Sequence, residues 1–219
     1  MTEPTPVFKS RAVFVIDVQK GLIEGPNAVP DAVEVRKAIS DILNSIRQHN
    51  DESSRKLKIV FVQHDDINPH DPLHKGKPTW ELEFNPRKGD DAEILVSKDV
   101  RELLPPRNNA IFLLQRSSSR LGNVFESNAQ LAQEIRLQSI TEIVVMGIQS
   151  NCCVRSSILG AITSGFDARR ITLLRGAHST LDDASVGKSF LQIKKDVEEE
   201  LAALGVRLVE WQDFNIPAM

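Results

Sequence analysis

The sequence predicts a single-domain three-layer α/β/α fold built on a six-stranded, mainly parallel sheet. Two observations carry this: short β-branched apolar runs recur along the chain, and the stretches between them have the period of a helix. The 219 residues suffice for one well-cored domain. The runs are AVFVID (12–17), KIVFVQH (58–64), EILVS (93–97), EIVVMG (142–147), ITLL (171–174) and RLVEW (207–211). Between the first two, Asp31 with Glu34 reads as a helix start, after which Val35, Ile39, Ile42 and Ile46 share one face. A second start is Ser127 with Gln130, turning Leu131, Ala132 and Ile135 inward. A third helix follows the fourth run, with Val154, Ile158, Ala161 and Ile162 on one face and Gly165 at its end. The last, SFLQIKKDVEEELAALG, stops at Gly205 before the final strand.

Two stretches fall outside this alternation. Residues 65–90 are rich in Pro, Asp and Gly and read as a long loop, of the kind that in compact domains is usually functional. Residues 101–121 hold a diproline and a serine run and match no element, which suggests an inserted surface segment.

The bulk numbers exclude several classes. An apolar fraction of 41% and a charged fraction of 26% belong to an ordinary globular chain. The 27 basic and 30 acidic residues are spread along the length and give a net charge of −3, so no nucleic-acid partner is expected. No segment approaches the ~20 apolar residues that span a bilayer, and the N-terminus lacks a basic stretch followed by an apolar run, so no membrane partner and no processing are expected. Cys152 and Cys153 are the only cysteines, and sequence neighbours bridge only with strain, so a reducing, cytoplasmic compartment is expected.

In an open parallel sheet the ligand crevice lies at the carboxyl ends of the strands. Three runs end in polar residues there: the first in Asp17, the third at Lys98, the fourth in GIQSNCCV. Taken singly, a strand-ending Asp is a common turn residue, a lone Lys is usually solvated and a lone Cys is usually core filler. Together they are more specific. A thiol at a helix start, as Cys153 would be, gains from the helix dipole and nearby N–H groups, which lower its pKa and can hold an oxyanion. Cys152 points about 100° away on a 3.6-residue helix and is expected to be buried. Asp17 can accept the thiol proton, while Lys98 fixes the carboxylate.

These residues resemble the isochorismatase-like cysteine hydrolases, whose signatures are a strand-ending Asp followed by a Gln, a Lys after the third strand, and G-[VI]-x-[TS]-[DN]-x-C-V before a helix. Here they stand as VIDVQKG, GDDAEILVSKD and GIQSNCCVR. Similarity continues through VFVQHDD, FESNAQLAQEI, GAITSGFDARRITLLRGAHSTLDD and LAALGVRLVEW, covering nearly the whole chain. The resemblance implies Cys153 as nucleophile, Asp17 as base and later proton donor, and Lys98 as third member of a triad. It also implies a cis peptide between Ile148 and Gln149, with the amides of Cys152 and Cys153 aimed at the substrate oxygen. Gln19, Trp80 and Phe125 match positions near the family's pocket. The implied activity is hydrolysis of a small amide, ureido or related carbonyl substrate through an acyl-enzyme, without a cofactor, in a homo-oligomer.

Residues 101–121 depart from the family pattern, in which the lysine is followed closely by the phenylalanine matching Phe125. Arg116, after AIFLL, is the alternative to Lys98, but GDDAEILVSK keeps the Gly-Asp lead into the strand and AIFLLQR does not. Two alternative functions stand beside amide hydrolysis: a catalytically silent binding or regulatory protein of the same fold, and an isochorismate-type ether hydrolase. Relatives of that last kind lack the nucleophilic Cys, which Cys153 would supply here. His64, Asp66 and His70 follow a two-then-four spacing, at which nicotinamidases of the superfamily carry a metal-binding Asp, His and His. The first two types are reversed here, and no metal is assigned.

Overall fold

The computed structural model describes residues 7–99 and 122–216. The expected excursion at 101–121, and Arg116 with it, lie outside the described residues. Six strands form one sheet: β1 (Val7–Ile16), β2 (Arg55–Asp65), β3 (Glu93–Asp99), β4 (Glu142–Ile148), β5 (Ile171–Ser179) and β6 (Arg207–Glu210). Their order is β3-β2-β1-β4-β5-β6, and each neighbouring pair is parallel. The α/β/α expectation is met, with a sheet that is parallel throughout.

Alternation along each strand divides the core. Val13 and Val15 of β1, with Ile59 and Phe61 of β2, meet α2 (Ala32–Glu52), which buries Val35, Ile39, Ile42 and Ile46. The one-turn helix α1 (Lys20–Ile23) lies on the same side, burying Leu22 and Ile23. Ala12, Phe14 and Ile16 point the other way. They meet α3 (Val124–Ser127), α4 (Leu131–Leu137), α5 (Arg155–Thr163) and α6 (Phe190–Ala203). A sheet covered on both faces needs apolar residues at every position, which is why the strands read as continuous apolar runs.

Three helix starts differ from expectation. Asp31 precedes α2, but its side chain caps nothing. Its carboxylate instead takes the Ser179 hydroxyl and, at 2.7 Å, the Lys194 ammonium. The Ser127–Gln130 start is two helices: Asn123 caps α3 by accepting from the amides of Phe125 and Glu126, and α4 begins afresh at Leu131. The helix after β4 opens with a turn of π-helix, Ser150–Val154, before α5 proper.

The winding reverses between β1 and β4, where Ile16 pairs with Gly147. This is the switch point at which doubly wound sheets open a crevice. Asp17 and the Gln149–Cys153 turn leave the sheet there from neighbouring strands.

Candidate active site

Asp17 follows β1 with φ +47°, the left-handed region that non-glycine residues seldom enter. Its amide donates to Val62 O at 3.0 Å, tying the bend to β2. Across the switch point Gly147 has φ +132°, and a Cβ there would lie 2.1 Å from Ile16 O. Only glycine lets β4 close on β1 at this level, and the chain then passes through a cis Ile148–Gln149 peptide into the cysteine turn.

Lys98 comes from β3, two strands from β1, and pairs in register with His64 of the intervening β2. Strands are about 4.8 Å apart, so a long side chain is needed to bridge the gap. Its ammonium contacts Asp17 Oδ2 directly and donates to Gly122 O at 3.2 Å. Asp17 is 1% and Lys98 0% exposed, so the pair is withdrawn from water. Asp17 Oδ1 is buried and makes no hydrogen bond of good geometry among the described residues.

Cys153 couples to both charged groups, through hydrogen bonding and charge. Burial foremost, and then Cys153, push the Asp17 carboxyl up to about 8 against the pull of Lys98. Burial lowers the Lys98 pKa, but Asp17 and Cys153 outweigh it and hold the ammonium above its ordinary range. Cys152 and Cys153 are both half-buried, and their sulfurs lie 4.0 Å apart, with Cys153 donating. That hydrogen bond pulls the Cys152 thiol down to about 7. The same bond and burial push the Cys153 thiol up, while Lys98 opposes them. Cys152 is therefore not the fully buried spectator expected from helical angle, because the π turn brings its sulfur back beside that of Cys153.

The remaining residues divide. Gln19 is fully buried, and its amide is spent on backbone: it donates to His64 O (3.0 Å) and Trp80 O (2.7 Å) and accepts from His64 N (3.0 Å). It braces the loop around Trp80 against β2, with both of its N–H donors used. Gln63, passed over in the sequence, holds the same Trp80 carbonyl at 3.0 Å. Trp80 is half-buried, and its Nε1 is buried without a hydrogen-bond partner among the described residues. Phe125 is 6% exposed and packs between Phe14 and Phe166, with ring centroids 5.5 and 6.0 Å away. It is core; the group that reaches the site from this segment is the Gly122 carbonyl. The Cys152 amide donates to Gln149 O at 3.2 Å, so it is engaged within the turn. Thr180, just past β5, donates to Asn151 Oδ1 at 2.6 Å, a brace for the cysteine turn that the polar ending AHST of β5 could have signalled.

His64 Nε2 lies 3.5 Å from Asp66 Oδ2, while His70 is exposed on the loop. Among the described residues no three His, Cys, Asp or Glu side chains gather as metal ligands, so this set does not fit a metal centre. No helix among them is long and apolar enough to cross a membrane.

A buried Asp17–Lys98 pair thus stands at the switch point of a doubly wound α/β sheet, beside a thiol at a strand–helix junction. The Isochorismatase domain model matches residues 11–203. Streptothricin hydrolase of Streptomyces noursei is 26% identical over 96% of this chain and 69% of its own length. A cysteine hydrolase from Pseudomonas syringae pv. phaseolicola 1448A superposes with TM-score 0.70 at 16% identity, over 97% of this chain and 96% of the other. N-carbamoylsarcosine amidase from Thermoplasma acidophilum superposes with TM-score 0.63 at 18% identity, over 94% and 99%. The chain belongs to the isochorismatase family of hydrolases.

Proposed function

We propose that the protein is a cysteine hydrolase that opens small amide, ureido or related carbonyl substrates through an acyl-enzyme on Cys153. The observation that carries this reading is the contact of Lys98 with Asp17 in the interior, with Cys153 coupled to both. With Lys98 protonated, the cluster stabilises one negative charge shared among its acidic groups. Moving a proton from Cys153 to Asp17 transfers that charge to sulfur without changing the total. A carboxyl raised to about 8 is a stronger proton acceptor for a thiol than an ordinary carboxyl.

The thiolate then adds to the substrate carbonyl carbon, and the oxyanion is held by the backbone N–H of Cys153, since those of Cys152 and Val154 donate to Gln149 O. Protonated Asp17 gives its proton to the departing nitrogen as the C–N bond breaks, leaving a thioester on Cys153. Water attacks the thioester, Asp17 takes the proton, and the acid departs as the thiol is restored. Hydrolysis is supported by the similarity to streptothricin hydrolase, and an amide-type bond by the structural likeness to N-carbamoylsarcosine amidase.

The test is a panel of small primary amides and N-carbamoyl compounds, with acid-quenched enzyme analysed by intact and peptide mass spectrometry. A mass increase equal to the acyl group on the Cys153 peptide is expected, absent from Cys153→Ala. Turnover that survives Cys153→Ala would refute the reading.

A further inference from the structure

Behind the cysteine turn lies a second polar cluster that the proposed chemistry does not use. Ser150, the first residue of the turn, and His178, near the end of β5, are both 0% exposed, and Ser150 Oγ is 2.8 Å from His178 Nδ1. On the other side of the ring, Nε2 lies 3.2 Å from Glu198 Oε1 of α6, an ion-pair contact not aligned as a hydrogen bond. Arg175 Nε anchors the other carboxylate oxygen of Glu198 at 2.9 Å. The cluster thus runs from the protein surface at Arg175, through Glu198 and His178, to the chain two residues before Cys152.

The protonation pattern follows from the charges. Burial opposes the charge on Glu198, but His178 and Arg175 outweigh it and hold the carboxyl below its ordinary range. Burial also holds the imidazole below its ordinary range, with Lys194 acting the same way and Glu198 and Asp31 opposing. A neutral imidazole has one N–H and one lone pair. The Glu198 carboxylate selects the Nε2–H tautomer, which leaves Nδ1 as an acceptor. In that tautomer the Ser150 hydroxyl donates to Nδ1.

We infer that His178, oriented by Glu198, is a positioning residue that locks Ser150 and thereby holds Cys153 in register with Asp17 and Lys98. This rests on the reading of Cys153 as nucleophile. Ser150 opens the turn and Thr180 holds its neighbour Asn151, so the end of β5 grips two consecutive residues ahead of the thiols. A displacement of about 1 Å in a positioned group can cost roughly a hundredfold in rate, so a hydrogen bond three residues from Cys153 can set its reactivity.

Two shortened side chains separate this role from mere packing. In His178→Asn the amide oxygen can occupy the place of Nδ1 and accept from Ser150, while the link to Glu198 is lost. In His178→Gln the amide can reach Glu198 in place of Nε2, while the acceptor for Ser150 is lost. The readout is the rate of Cys153 alkylation by iodoacetamide, followed by peptide mass spectrometry, with thermal midpoints recorded alongside. We expect His178→Gln and Ser150→Ala to slow alkylation about tenfold and His178→Asn to slow it less than threefold, at similar midpoints for the two His178 variants. The double variant Ser150→Ala/His178→Gln should be no slower than the slower single one, as two members of one linkage should be. Equal rates in His178→Asn and His178→Gln, or multiplying effects in the double variant, would overturn the inference. Turnover that survives Cys153→Ala would instead remove the proposed nucleophile, which is the failure of the other reading.

Discussion

The ammonium of Lys98 contacts Asp17 across strand β2 with neither side chain more than 1% exposed. Breaking such a pair from one side costs about 3–5 kcal/mol, because it leaves an uncompensated charge in the interior. The two sides are not equivalent. Asp17→Asn leaves an ammonium whose pKa lies far above neutrality in the wild type, whereas Lys98→Met leaves a carboxyl that can take up a proton and become neutral. We therefore expect Asp17→Asn to lose more stability in urea unfolding at pH 9, where wild-type Asp17 is ionised, than Lys98→Met, and the double variant to recover part of the loss. Both single variants should lose turnover. A Lys98→Met variant less stable than Asp17→Asn would show that the carboxylate is the group held charged.

The two thiols should respond differently to removal. Cys153→Ala is expected to abolish turnover and, by deleting the donor to Cys152, to return the Cys152 thiol from about 7 toward its ordinary value. Thiolate absorbance near 240 nm across a pH series measures this directly. Cys152→Ala should keep much of the turnover while lowering the Cys153 pKa, since the hydrogen bond that raises it is gone. Turnover lost in Cys152→Ala and kept in Cys153→Ala would exchange the two roles.

The raised Asp17 pKa makes stability depend on pH. The folded protein holds this proton up to about pH 8, whereas the unfolded chain releases it near 3.8. Between those values the native state binds more protons, so this group's contribution is complete below about pH 4 and is lost as pH rises toward 8. Each pKa unit corresponds to about 1.4 kcal/mol, so a loss of a few kcal/mol is expected. Urea midpoints from pH 5 to pH 8 should fall in the wild type, and the slope should flatten in Asp17→Asn.

Much of this was legible in the sequence because a sheet buried on both faces writes itself as apolar runs, and because Asp17, Lys98 and Cys153 each stand where a strand stops. The features that were not legible depend on short irregular turns or on pairings distant in sequence. Asn123 was missed as a cap because its two bonds are to Phe125 and Glu126 on a helix of one turn, too short to show a period. Phe125 was read as pocket lining, but an aromatic wall from Phe14 to Phe166 draws it into the core. By 3.6-residue geometry Cys152 points away from Cys153, whereas a π turn holds more residues per turn, narrows the angle between neighbours and leaves the two sulfurs 4.0 Å apart. The partnership of His178 with Ser150 joins residues 28 apart through β4–β5 pairing, which periodicity alone does not fix.

The final prediction concerns the join between β3 and α3. Lys98 Nζ donates to Gly122 O at 3.2 Å, and Asn128 Nδ2 donates to Ser97 O at 3.2 Å, so the two flanks of residues 101–121 are bonded to one another. A short connection can therefore replace the intervening 21 residues without moving either flank, and each halving of loop length lowers the closure cost by only about 0.6 kcal/mol. Replacing 101–121 with a short Gly/Ser linker is expected to leave thermal stability within a few degrees. Activity should equal or exceed that of the full chain, because Lys98 keeps both its partners. The measurements are the thermal midpoint and the turnover of whichever amide the panel identifies. A linker variant that fails to fold would show that AIFLL contributes a buried element, and would reopen the assignment of the lysine position between Lys98 and Arg116.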